Sequence, residues 1–191
     1  MLKWLIRNRL KAFETRYGYD ASYMRELLDT DFAAFAAFAR LQKLGRYRKD
    51  IPTDVVVAVT LVTVLSEDCG PCTQLVVAMA LETGVKPQTI AAVLENTEVQ
   101  MSDDVRLGVK FARAIITRDA SADELRDEIV RRWGKRALTS LAFGMVSARV
   151  FPTVKYAMGH GKACTRLLVD GQPVIPHRAP EMPAHVLRAM S

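Results

Sequence analysis

Cysteine is scarce in this chain: three in 191 residues, an odd number and too few for a secreted disulfide framework. No long hydrophobic run is present either. The longest apolar stretch, Val55 to Leu65, has 11 residues, short of the roughly 18 that a membrane-spanning helix needs. A secretory h-region is missing, because Arg7, Arg9 and Lys11 interrupt the apolar residues of the N-terminus. No internal repeat or low-complexity segment occurs, and no Lys/Arg cluster is interleaved with aromatics. These absences speak against a secreted, membrane or nucleic-acid-binding protein. The expectation is a cytoplasmic protein whose lone C-x-x-C is redox-active or metal-binding.

Half of the residues are apolar and a quarter charged, and the net charge is +6. That balance fits a folded globular chain, long enough to bury a core without disulfide staples. The charge is unevenly spread: net +5 over residues 1–50, −7 over 51–130 and +8 over 131–191. Segments of opposite sign suit packing against one another, within a subunit or across an interface.

Helical signals dominate. Leu2, Leu5, Ile6, Leu10 and Phe13 share one face of a basic amphipathic helix over 3–14. Such a helix suits packing against its own subunit or a neighbour better than it suits anionic lipid. A break at Tyr17–Asp20 precedes a short helix from Ser22 to about Leu28. Asp31 offers an N-cap for 32–44, with Gly45 as its stop. Pro71 opens a helix to Glu82 closed by Gly84, and Pro87 opens another to about Glu95. Ser102, followed by two acids, caps a helix to about Arg118. Ser121 and Glu124 form a capping-box pattern for a helix to Trp133. Lys135 to about His160 reads as the last long helix, kinked at Pro152. Thr165 to Val174 suits a hairpin around Asp170-Gly171, and prolines make the rest an irregular tail. Residues 54–65 are ambiguous: valine and threonine favour a buried strand, while length favours a helix.

The strongest chemical signal is Cys69-Gly70-Pro71-Cys72 at a helix start. Free backbone N–H groups and the positive end of the helix dipole stabilise a thiolate there. The spacing lets one sulfur attack and the other resolve the product. Glu67 and Asp68 lie just upstream. Carboxylates so placed raise a thiol's pKa, and they can also shuttle protons. The bland reading is two structural cysteines. A zinc reading adds His160 and Cys164, although 87 residues separate the two halves of that ligand set. In bland terms, Cys164 is a buried thiol and His160 caps a helix end. Phe32, Phe35 and Phe38, together with Met79, Met145 and Met158, read as core or interface residues. Trp133 and Arg149 read as packing residues, and His177 and His185 carry no assignment.

Thioredoxin shares the Cys-Gly-Pro-Cys motif, but its alternating strands and helices do not fit the consecutive helices from Pro71 to His160. The stretch from Ala58 through Cys69-Gly70-Pro71-Cys72-Thr73-Gln74, followed by Ala78 to Val85, resembles the core motif of the alkylhydroperoxidase D-like and carboxymuconolactone decarboxylase superfamily. The resemblance runs over roughly residues 30–160. It implies an all-α helical bundle with a helix, not a strand, at 54–65, and an oligomer, commonly trimer or hexamer. It divides the chain into an N-terminal extension (1–29), the helical domain (30–164) and a tail (165–191). It further implies a thiol-dependent oxidoreductase, reducing hydroperoxides or exchanging disulfides, with no bound cofactor or metal and with a thiol reductant as partner. By that resemblance Cys72 meets the peroxide and Cys69 resolves it. Two relay residues of the family are replaced: Val76 stands where a histidine is usual and Val57 where a glutamate is usual. Glu67 is the nearest substitute acid, and Tyr156 and His160 are further candidates to approach the site. The competing functions are a non-catalytic helical oligomer and a zinc-stabilised structural domain; lactone decarboxylation is remote, because those relatives do not depend on a C-x-x-C.

Overall fold

A computed structural model describes residues 1–161 and 167–177. They are mostly helical, with one small hairpin. The helices are α1 (Leu2–Tyr17), α2 (Ser22–Thr30), α3 (Phe32–Arg40), α4 (Gln42–Gly45), α5 (Thr53–Ser66), α6 (Gly70–Glu82), α7 (Pro87–Glu95), α8 (Asp103–Thr117) and α9 (Ala122–Ala157). Strands β1 (Leu167–Val169) and β2 (Gln172–Val174) pair antiparallel, with Leu168 opposite Pro173.

The ambiguity at 54–65 resolves as a helix. α5 is the central element and packs on α6, α7, α8 and α9. Nine of its residues are buried, from Val55 to Val64. Burial on nearly every side explains why no amphipathic period marks it in the sequence. Its threonines are accommodated by bonding backwards: Thr60 Oγ1 donates to the Val56 carbonyl and Thr63 Oγ1 to the Val59 carbonyl, both at 2.7 Å. Tertiary burial thus overrides the β preference of the valines.

Several start signals act as expected. Asp31 accepts from the Ala33 and Ala34 amides, and Ser102 accepts from Val105. Pro71 and Pro87 sit in the first turns of α6 and α7. Others differ. The 32–44 helix is interrupted at Leu41. Gly45 does not end α4 through a left-handed conformation; a Cβ there would sit 2.7 Å from Ser147 Oγ, so the glycine serves close packing on α9. Ser121 makes no side-chain cap, and its own amide instead donates to Asp119 at 2.8 Å. The two helices expected over 121–160 run into one another as α9, and the discontinuity lies at Gly134 (φ 81°, ψ 173°). Pro152 sits inside the helix, and the helix ends at Ala157, before His160.

By length and composition α9 would reach across a bilayer, but it is broken at Gly134 and packs along α4, α5 and α8. Met145 is buried in the main core, and Trp133 packs against it. Met79, expected inside, is 37% exposed. The Asp170-Gly171 turn has positive φ at both residues, as a tight hairpin of this type requires.

A second apolar cluster joins the N-terminal segment to the rest. It contains Tyr19, Ala21, Tyr23, Met24 and Phe38 together with Val64, Cys69, Cys72 and Ala148. Tyr23 packs edge-on to Phe38, which in turn meets Phe151 of α9. Beside this cluster, against which Tyr17 packs, Arg16 and Tyr17 at the end of α1 both bind Glu82 at the end of α6.

Two glycines test this packing. A Cβ on Gly108 would meet Val55 Cγ1 at 2.8 Å, where α8 crosses α5, and valine has little rotamer freedom to yield. Gly108→Ala is expected to destabilise by about 1–3 kcal/mol through overpacking. Gly134→Ala should cost a similar amount, roughly 1–3 kcal/mol, because only glycine adopts that backbone conformation without strain. Denaturant unfolding of each variant reads this directly. Unchanged midpoints would contradict the close approach at Gly108 or the conformation at Gly134.

Candidate redox site

The site is built at the junction of α5 and α6. α5 ends at Ser66; Glu67 follows, and Asp68 takes a left-handed conformation (φ 48°) that turns the chain into Cys69. Cys69 is the N-cap of α6 and Cys72 lies in its first turn. The two are joined as a disulfide, with Cα atoms 5.3 Å apart, well within bridging range. Both are buried: Cys69 is 0% and Cys72 4% exposed. The first α6 bonds come from Thr73, whose amide (2.9 Å) and hydroxyl (3.0 Å) both donate to the Cys69 carbonyl. The amides of Gly70 and Cys72 precede that first helical bond, so both cysteines stand at the positive end of α6, although the Cys69 side chain makes no cap hydrogen bond.

Glu67 is close in sequence but otherwise engaged. Its carboxylate accepts from Arg149 Nε of α9 at 2.7 Å, so Arg149 is an ion-pair partner and not a packing residue. Tyr156 donates to the Asp68 carbonyl at 2.9 Å and holds the loop before Cys69 through its backbone. His160 does not cap α9 with its ring: Nδ1 is 3.0 Å from Ser22 Oγ and Nε2 is 2.8 Å from Glu26 Oε2. No group of three or more His, Cys, Asp or Glu side chains able to hold a metal occurs among the described residues. Cys164, the fourth ligand of the zinc reading, and His185 lie outside the described residues. Val57 is buried in the main core and Val76 packs between the two clusters, so apolar side chains fill both relay positions.

Polar groups do reach the disulfide, from a direction the sequence did not indicate. The Tyr19 oxygen is 3.7 Å from Cys72 Sγ and 3.3 Å from the Tyr23 oxygen, to which it donates. Lys155, on α9, is fully buried. Its Nζ lies 4.4 Å from the Tyr19 ring centroid and 5.6 Å from that of Tyr23, and it donates to the Asp20 carbonyl at 3.0 Å. Sequence reasoning missed all three because they lie 49 or more residues from Cys72 along the chain, and Lys155 occupies a position that looks like ordinary helix surface. The available hints were two tyrosines four residues apart, one in the break before α2 and one in α2, and one lysine in an otherwise apolar turn.

Burial raises the pKa of both phenols, although the hydroxyl of Tyr23 partly offsets this for Tyr19. In the unfolded chain each ionises near pH 10. The folded protein therefore holds both neutral where the unfolded chain has already lost the protons. Their contribution to stability is complete below about pH 10 and declines as pH rises above it. Urea midpoints measured from neutral to strongly alkaline pH should fall above about pH 10 in the wild type. The decline should be shallower in Tyr19→Phe/Tyr23→Phe. Parallel curves would show that the phenols do not govern alkaline unfolding.

No family model, curated protein or solved structure matches the chain.

Proposed function

We propose that this protein is a thiol-dependent oxidoreductase, resembling alkylhydroperoxidase D, that reduces small hydroperoxides through Cys69 and Cys72. The observation that carries the reading is a bonded Cys69–Cys72 pair at the N-terminal end of a helix, the place in a protein where a thiolate is best stabilised. The burial of both sulfurs favours a small oxidant over a folded protein disulfide, which would need a much larger opening to reach them.

The chemistry balances without a bound cofactor. The Cys72 thiolate attacks the terminal oxygen of the hydroperoxide. An S–O bond forms as the O–O bond breaks, and the alkoxide leaves and takes up a proton. Cys69 then attacks the sulfenic sulfur; the disulfide forms and water leaves. An external dithiol returns two electrons by exchange. The resemblance adds a helical-bundle family, a homo-oligomer and a cytoplasmic setting with a thiol reductant, and no nucleic acid or membrane partner. Leu2, Trp4 and Leu5, which α1 leaves exposed, support an interface between copies. Glu67, bound to Arg149, acts in this scheme through the loop that carries Cys69.

Consumption of an organic hydroperoxide by the reduced protein, with a small dithiol to recycle it, tests the proposal. Wild type should turn over and Cys72→Ser should not. Cys69→Ser should react once and stop as a sulfenic acid. A wild type no faster than Cys72→Ser would leave the non-catalytic helical oligomer as the reading.

A further inference from the structure

The family's usual relay is absent, yet one side chain touches the reacting sulfur. We propose that Tyr19 is the hydrogen-bond donor that stabilises the Cys72 thiolate, with Tyr23 and Lys155 as the residues that position and polarise it. This deepens the redox reading of the same dithiol and rests on it. It also assigns the asymmetry of the pair: the phenol lies against Cys72, while Cys69 Sγ sits at the N-cap.

In the oxidised protein the Tyr19 hydroxyl donates to Tyr23, because a disulfide sulfur is a weak acceptor. Reduction changes the acceptor. When a reductant thiolate attacks Cys69 Sγ, the S–S bond breaks and its electron pair stays on Cys72 as a thiolate. The Tyr19 O–H turns to that charge, keeping its proton, and Tyr23 becomes donor to Tyr19. A charge-assisted bond of this kind is about twice as strong as a neutral one. The Lys155 nitrogen over the Tyr19 ring withdraws electron density and strengthens the donor. The same bond makes Cys72 the better leaving group in reduction and the thiolate present to attack in oxidation.

The charged and titratable groups around Cys72 come from four directions. Tyr19 and Asp20 lie on the α1–α2 link, and Tyr23 on α2. Lys155 is on α9. Glu67 and Asp68 follow α5, with Glu67 already paired to Arg149. The Tyr19 oxygen contacts the sulfur at 3.7 Å.

The test uses the full chain carrying Cys69→Ser and Cys164→Ser, so that Cys72 is the one thiol, with isotope-labelled cysteine. The pH dependence of the Cys72 Cβ chemical shift gives the thiol midpoint without any reagent having to reach the buried sulfur. Tyr19→Phe, which keeps the ring and removes one oxygen, should raise that midpoint by about one pH unit. Tyr23→Phe should raise it by less, and it carries the test if Tyr19→Phe does not fold. Midpoints unmoved by either substitution overturn the proposal. Hydroperoxide turnover by the protein with its cysteines intact separates the two readings. Turnover with an unmoved midpoint discards Tyr19 and keeps the oxidoreductase. A raised midpoint without turnover keeps the thiolate donor and discards the oxidoreductase.

Discussion

A fully buried lysine organises this molecule. Removing an ammonium from water costs several kcal/mol unless polar or aromatic partners replace the solvent. The Asp20 carbonyl and the faces of Tyr19 and Tyr23 provide that replacement for Lys155. Each of these partners belongs to the α1–α2 region, whereas Lys155 belongs to α9. The need to satisfy one buried amine therefore ties the α1–α2 region to α9, and Tyr19 at that junction lies against Cys72. Arg149 with Glu67, Tyr156 with the Asp68 carbonyl, and His160 with Ser22 and Glu26 extend the same attachment along the last turns of α9 and the residues just after it. One helix end thus fixes both the loop that enters the dithiol and the segment that covers it.

Local sequence chemistry made much of the helical architecture legible. Asp31, Ser102, Pro71 and Pro87 mark helix starts through interactions within a few residues, and Asp170-Gly171 marks a turn whose backbone demands are specific. α5 was not legible from periodicity because it is buried on almost every side, which erases the contrast that a period needs. Gly45 and Ser121 mark a helix end and a helix start in the expected places, but not through the interactions their residue types suggest. At Gly45 the controlling fact is the approach of Ser147; at Ser121 it is the carboxylate of Asp119.

The site divides the same way. Cys69 and Cys72 are readable because their relation is local and their spacing is chemical. Tyr19, Tyr23 and Lys155 are not, because nothing in a linear pattern announces that a link between two N-terminal helices will rest on a sulfur 53 residues on. Glu67 illustrates the converse. It is adjacent in sequence and carries the right chemistry, but its carboxylate is turned to Arg149. Nearness along the chain was a poor guide to nearness in space for the polar groups beside the disulfide.

The hairpin shows how little backbone a sheet edge requires. The Gln74 side chain of α6 donates to the Leu168 carbonyl at 2.9 Å and accepts from the Leu168 amide at 2.8 Å. These are the two groups that β1 turns away from β2, since Leu168 faces Pro173, which has no N–H to offer. One carboxamide therefore stands in for a third strand. It closes an edge that could otherwise template the addition of a foreign segment, and it does so from a residue two positions beyond Cys72, so the cover of the sheet edge and the disulfide sit at the same end of α6.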